Sequence, residues 1–276
     1  MANEQNREHW NQSGQTWVAF QRTFDRMLEP IGALLLDHAA LSSDHRVLDV
    51  GCGYGTTSLA ITQLGASVHG VDISTPMVAA ARDRVPQATF AVADAQTESL
   101  GGPYDAVVSR FGVMFFDDPV AAFANVCGAT APGGRMTFVC WNDQARSSAA
   151  WAGGEVLRAA LPSPPPPLPP FAPGPFAFSD PDRTRGLLST AGWTDISIVG
   201  HEVPCVIGWP DSDGVEERLA LVLASEAGQL LRDHVAVEDQ PAVIDAARAS
   251  LRDRVVDGAI RLDASVWLVS ATCDPR

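Results

Sequence analysis

Short apolar runs that stop at a glycine or an acid, each followed by a longer segment of mixed polarity, pattern the first half of the chain. Val47, Leu48 and Val50 lead into Gly51, and Thr57-Ser58-Leu59-Ala60-Ile61-Thr62 then reads as a helix. Val68-His69-Gly70-Val71-Asp72 reads as a second strand. A helix over 75–85 follows it, with Pro76 at a first helical position, where a missing N–H costs no hydrogen bond. A third strand over 90–95, a fourth over 104–110, a helix over 119–129 and a fifth strand over 136–141 continue the alternation. Apolar strands separated by helices predict a parallel sheet covered on both faces.

The flanks follow other patterns. Trp10, Trp17, Phe20 and Phe24 fall at rough helical spacing, ahead of a second helical stretch around 29–40. Residues 142–179 contain the run Leu161-Pro162-Ser163-Pro164-Pro165-Pro166-Pro167-Leu168-Pro169-Pro170, which predicts an extended, semi-rigid path. Ser179-Asp180-Pro181-Asp182 starts a helix, capped by Asp180 or Ser179, and Gly192 ends it. A sixth strand is predicted over 193–203, helices over 215–231 and 241–256, and the final strand over 260–271.

Chemistry enters at the first turn. Gly51, Gly53 and Gly55 let the backbone turn sharply and lie against a ligand, and the next helix offers free N–H groups. Asp72 ends the second strand, where a nucleotide-binding sheet places the acid that holds ribose hydroxyls. A dinucleotide fingerprint needs G-x-G-x-x-G, and Thr56 stands where its third glycine would fall. The pattern Asp49-x-Gly51-x-Gly53-x-Gly55 instead resembles the first motif of class I S-adenosylmethionine-dependent methyltransferases. Asp94-Ala95, Tyr104-Asp105 and the turn Ala131-Pro132-Gly133-Gly134 match that family's further motifs in order. Three flanking features are similar to a small-molecule subgroup related to the quinone-biosynthesis methyltransferases. They are Trp10-Asn11, the run Ser109-Arg110-Phe111-Gly112-Val113-Met114-Phe115-Phe116, and Pro173-Gly174-Pro175-Phe176-Ala177-Phe178.

The resemblance implies an α/β fold: a doubly wound, seven-stranded, mainly parallel sheet of order 3-2-1-4-5-7-6 with the last strand antiparallel. It divides the chain into an N-terminal helical lid (1–43), a Rossmann-like S-adenosylmethionine-binding core (44–141), a Pro-rich strap over the active site (142–180) and the C-terminal part of the sheet with inserted helices (181–276), all in one structural domain. The cofactor implied is S-adenosyl-L-methionine. Its methionine end would meet the backbone of Gly51, Gly53 and Gly55, its ammonium Asp49 and the Ser109 carbonyl, and its ribose Asp72. Ile73 and Met77 would flank the adenine, with plain core packing equally open for Met77, and Asp94 and Ala95 would read its polar edge. Trp17 belongs to a lid over the cofactor, or to an amphipathic helix packed on the core. The proline run serves as a strap across the mouth or as a ligand for an SH3-like partner. The inserted helices near the acceptor pocket would shape specificity.

Composition narrows the acceptor. A net charge of −14 opposes a nucleic-acid ligand, which needs a basic face. The 276 residues, 46% apolar, suffice for a full core. The polar start is unlike a secretory leader, and no apolar run approaches the roughly 18 residues of a membrane span. A cytoplasmic protein is expected. Cys52, Cys127, Cys140, Cys205 and Cys273 are isolated and odd in number, which predicts reduced thiols. The expected partner is a small-molecule acceptor, with a homodimer left open, and neither nucleic acid, membrane nor metal is expected.

No general base stands out. His9 and His201 could deprotonate an acceptor if they reached the pocket, and surface positions are the alternative for both. His45 and His69 read as bystanders on core strands, and His38 and His234 as solvated helix residues. Arg110 lies where ligands meet the ends of parallel strands, with an ion pair to Asp117 or Asp118 as its alternative. The expected reaction is methyl transfer to an O, N or C nucleophile of a small, uncharged or cationic, largely apolar metabolite. Other chemistry on the same cofactor, or ligand sensing, is the alternative, and a nicotinamide oxidoreductase is opposed by Thr56.

Overall fold

The alternation of apolar runs and helical segments folds as its polarity dictates. In the computed structural model, which describes residues 3–163 and 169–274, β1 (Arg46–Val50), β2 (Ser67–Asp72), β3 (Thr89–Val92), β4 (Tyr104–Arg110) and β5 (Thr130–Trp141) are parallel neighbours in the order β3-β2-β1-β4-β5. Four consecutive residues of β1 are buried, as a strand covered on both faces requires. Two further long strands complete the sheet: β6 (Trp193–Ile207) and β8 (Ala259–Cys273), with β8 antiparallel between β5 and β6. The order and the antiparallel final strand agree with expectation. An eighth strand was not expected: β7 (Val255–Val256) folds back on the start of β8.

Past the pair Trp141 and Val266, β8 has no β5 neighbour, and it continues as a ribbon with β6 as far as Ile207 and Ile260. The C-terminal helices hang from this overhang.

Helices α1 (Glu4–Ala19) and α2 (Gln21–Ala39) form the amino-terminal arm, and they break at Phe20. The second helix thus begins earlier than the sequence suggested and runs through Pro30. Phe24, Met27, Leu28, Ile31 and Leu35 explain this, because they form one buried stripe at spacings of three and four. An interior proline costs about 3 kcal/mol, and burying several large apolar side chains at roughly 1.5–3 kcal/mol each outweighs it. This helix packs across β4, β5 and β6 and touches α3 (Thr56–Gln63), which leaves the glycine turn, while α4 (Thr75–Arg84) packs on β2 and β3. Helix α5 (Pro119–Gly128) is capped by Asp118, which accepts from Ala121 N–H.

Two short helices, α6 (Ser148–Trp151) and α7 (Gly154–Ala159), precede the proline run, of which residues 164–168 lie outside those described. Asp180 caps α8 (Pro181–Thr190) by accepting from Asp182 and Arg183 N–H. The helix expected over 215–231 is two, α9 (Val215–Ala224) and α10 (Glu226–His234), with α11 (Gln240–Arg252) after them. The corner falls at Ser225, and Gly228 makes it possible: a Cβ there would lie 2.0 Å from the Leu223 carbonyl oxygen.

The expectation of five reduced thiols is corrected. Cys127 at the end of α5 and Cys273 at the end of β8 form a disulfide, with Cα atoms 5.7 Å apart, while Cys52, Cys140 and Cys205 are free and buried. The two partners are 146 residues apart in sequence, and only the sheet order brings them together.

Candidate active site

At the carboxyl end of β1 the chain turns through Gly51, Gly53 and Gly55, all at positive φ. Two of these glycines serve different needs. A Cβ on Gly51 would meet the Gly112 Cα at 2.5 Å, so the loop after β4 presses on this turn. A Cβ on Gly53 would find only the Met77 Sδ at 3.9 Å, so that side of the turn is open.

Asp49 is 1% exposed; its Oδ2 accepts from the Ser58 hydroxyl at 2.6 Å, and its Oδ1 has no partner among the described residues. Burial pushes this carboxyl up to about 6, against the pull of Ser58 and of the Arg110 charge. A buried acceptor oxygen without a donor is costly unless a ligand supplies one. Asp72 is half-buried at the end of β2 and accepts from Gly53 N–H at 2.9 Å and Ser74 N–H at 2.9 Å. Burial also raises its carboxyl above the ordinary range.

Asp94 is buried and already well supplied with donors. It accepts from Asn3 Nδ2, from Gln96 N–H at 2.9 Å and from the Thr97 hydroxyl at 3.0 Å. Ala95, next in sequence, and Met77 of α4 are both buried in the main hydrophobic core, and Ile73 is half-buried. Ser109 is buried at the end of β4, where its hydroxyl donates to the Val50 carbonyl at 2.7 Å and accepts from Gly112 N–H at 3.2 Å. That hydroxyl bridge ties the ends of β1 and β4, and no sequence motif marks it.

The arm lies over this edge. Trp10 O accepts from the Ser74 hydroxyl at 2.8 Å, and Asn11 Oδ1 accepts from Thr75 N–H at 2.9 Å, so the Trp-Asn pair pins α1 to the start of α4. Trp17 stacks on Phe24 at 3.8 Å, and Trp10 meets the Phe115 ring at 4.8 Å. Asp25 of α2 accepts from the Tyr54 hydroxyl at 3.1 Å and the Thr56 hydroxyl at 2.7 Å, and pairs with Arg84 at 2.7 Å. One carboxylate therefore joins the arm, the glycine turn and α4; no sequence motif marked it.

Beyond β4, Phe111 adopts a positive φ of 63° and stacks on Trp141 at 4.4 Å. Such a backbone is uncommon for an aromatic residue and clusters at functional sites. Gly174 N–H donates to Met114 O at 3.0 Å, so the described end of the proline segment is anchored on the loop after β4, and Phe176 lies near Trp151.

The weaker candidates disperse. His9 is exposed, 3.4 Å from the Ser13 hydroxyl. His201 lines a groove of about 370 Å³ with Leu34, His38 and Leu268, none of which is a predicted cofactor residue. His38 is not on a solvated face as expected: it is half-buried, with Nε2 3.3 Å from the Ser270 hydroxyl, because α2 packs on the sheet. Arg110 pairs with neither Asp117 nor Asp118. It donates to Leu28 O at 3.4 Å and lines a cavity of about 520 Å³ with Asp25, Gly32, Thr56, Thr57 and Arg84. Asp117 accepts instead from Asn3 N–H and Asn6 Nδ2, and Asp118 caps α5.

A glycine turn, an acid ending β2 and a parallel sheet with an antiparallel final strand define a Rossmann-like, S-adenosylmethionine-dependent methyltransferase fold. Comparison with known proteins agrees in fold: residues 47–134 match the family described as a methyltransferase domain. The chain is 33% identical over 123 residues to a demethylmenaquinone methyltransferase of Beutenbergia cavernae, covering 44% of this chain and 49% of the relative. It is 32% identical over 129 residues to an aklanonic acid methyltransferase of a Streptomyces species, covering 42% of this chain and 59% of the relative. The chain thus spans about half the length of these curated relatives. A solved structure from work on disulfide-to-thioacetal conversion in echinomycin biosynthesis shares the fold, with a TM-score of 0.55, 24% identity, and 89% of this chain and 82% of that one covered.

The residues present fit the cofactor. Asp49 offers a buried, donor-less oxygen to an ammonium, and the open side of Gly53 leaves room that a Cβ would fill.

Proposed function

We propose that the protein transfers a methyl group from S-adenosylmethionine to an O, N or C nucleophile of a small, largely apolar metabolite by in-line displacement. The observation that carries the reading is the unpartnered Oδ1 of Asp49 beside the open glycine turn. When bound, the cofactor supplies an electrophilic methyl group on a sulfonium. The chain's own residues bind and orient. Asp49 and the Ser109 carbonyl hold the ammonium, Gly51, Gly53 and Gly55 admit the methionine end, and Asp72 accepts from the ribose as a charged, strong acceptor. Ile73, Met77, Asp94, Ala95 and Trp17 enclose the adenine side.

Displacement at a sulfonium does not require a general base, and the reading assigns none among the described residues. Holding both reactants in line is worth roughly 7–11 kcal/mol, and the arm and the 171–178 segment exclude water from the reacting pair. The ring pairs Phe111–Trp141, at the end of β4 and β5, and Trp151–Phe176, beside the 171–178 segment, support an apolar acceptor. The net charge of −14 supports a small acceptor rather than a nucleic acid. No helix among the described residues is long and apolar enough to cross a membrane.

Labelled S-adenosylmethionine incubated with the protein and a metabolite extract should yield label in a small product. Asp72→Ala should weaken S-adenosylhomocysteine by ~30-fold, as loss of charge-assisted bonds implies. Unchanged titration heats in that variant would remove the basis of the reading.

A further inference from the structure

Helix α9 buries an arginine. Arg218 is 3% exposed, and no carboxylate lies within ion-pair distance of it among the described residues. Its guanidinium donates from Nε to Ala152 O at 3.1 Å and from Nη2 to Ala150 O at 3.3 Å, and its Nη1 faces the thioether sulfur of Met27 at 3.5 Å. A guanidinium carries five N–H donors, and a thioether is a weak acceptor, so the outer edge of the fork is poorly served. The nearest acid in charge terms is Glu155, which is spent on Arg254 at 3.7 Å. Two cations therefore share one anion.

A second orphan lies on the same short stretch of chain. Trp151 sits between the two residues whose carbonyls hold Arg218, and its buried indole N–H has no acceptor among the described residues. Met27 is one turn along α2 from Phe24, which stacks on Trp17 of the arm, and the Trp151 ring neighbours Phe176. Arg218 is thus bounded by the arm, by α6 and by the inserted helices.

A buried cation without a counter-charge is unfavourable for folding, and an isolated donor adds to the cost. The planar fork of arginine matches a carboxylate in two-point contact. We propose that Arg218 receives a carboxylate on the acceptor, with the Trp151 indole as a neighbouring donor, so that the substrate is an apolar acid rather than a neutral or cationic metabolite. The proposal rests on the methyl-transfer reading above, and it makes Arg218 a specificity-determining residue.

The test uses the full chain saturated with S-adenosylhomocysteine and three matched pairs: benzoate and benzamide, 2-naphthoate and 2-naphthamide, 3-hydroxy-2-naphthoate and its amide. Calorimetry should show at least one acid bound ten-fold or more tighter than its amide. Arg218→Met should erase that preference while changing S-adenosylhomocysteine affinity less than two-fold, and Arg218→Lys should keep part of it. Equal binding of acids and amides, no acid binding at all, or a preference that survives Arg218→Met overturns the proposal. If Arg218→Met fails to fold, the acid-to-amide ratio of the wild-type chain and of Arg218→Lys decides alone. Failure of S-adenosylhomocysteine to bind sinks the methyl-transfer reading itself, and that outcome is visible before any acid is added.

Discussion

Asn3 donates from its carboxamide nitrogen to both carboxylate oxygens of Asp94, at 3.0 and 2.9 Å. In the proposed reading those oxygens read the adenine amine. The tip of the arm therefore holds, with an amide, what a nucleobase amine would take. Asn3→Ala removes that competitor and should tighten S-adenosylhomocysteine by about 3- to 10-fold, the worth of one freed hydrogen-bonding group. Unchanged or weaker binding would show that Asn3 supports the pocket rather than occupying it.

Asp49 sets a pH dependence. Its folded-state value of about 6 exceeds the ~3.9 of an unfolded chain, so between these values the unfolded state ionises first and stability falls as pH rises. Above 6 that penalty is constant in the free protein. A bound ammonium favours the carboxylate, so cofactor affinity should rise with pH through about 6, by up to ~10-fold per unit below it. Asp49→Asn should flatten the profile between pH 5 and 7 and stabilise the unliganded protein at neutral pH by about 1–3 kcal/mol. A flat wild-type profile would contradict the assignment.

Gly51 and Gly53 separate fold from site. Gly51→Ala drives a methyl group into the Gly112 backbone and should cost ~2–4 kcal/mol of stability. Gly53→Ala meets no such obstacle, and its strain of about 1 kcal/mol should leave the protein folded. It should nevertheless weaken S-adenosylhomocysteine at least 10-fold. Thermal denaturation with and without ligand reads both effects, and equal behaviour of the two variants would refute the distinction.

Asp25→Ala breaks three contacts at once and leaves the Tyr54 hydroxyl without its acceptor. A loss of about 2–3 kcal/mol is expected, together with faster proteolysis within α1. An arm cleaved at the wild-type rate would show that Asp25 does not latch it.

The parallel core was legible because each β–α unit satisfies its backbone locally and shows its burial in its apolar run. The turn at Gly51, Gly53 and Gly55 was legible for a related reason, since its positive φ values restrict residue type. What escaped depends on distance. Asp25, the Cys127–Cys273 pair and the Ser109 hydroxyl bridge join elements far apart in sequence, and each residue alone looks ordinary. The corner at Ser225 was missed because Gly228 reads as a tolerated helical glycine until its approach to Leu223 is seen. Arg218 was missed because a lone arginine on an amphipathic helix reads as solvated, and the helix is covered on that side.

The β6–β8 ribbon beyond Trp141 has an evolutionary consequence. It works as a cantilever that projects α9, α10 and α11 past the parallel strands, where their buried faces pack on α7 and α2. Substitutions on the exposed faces of those helices can therefore accumulate while the ends of β1 and β2 keep their register. The family match over residues 47–134 covers those strand ends and stops short of the ribbon.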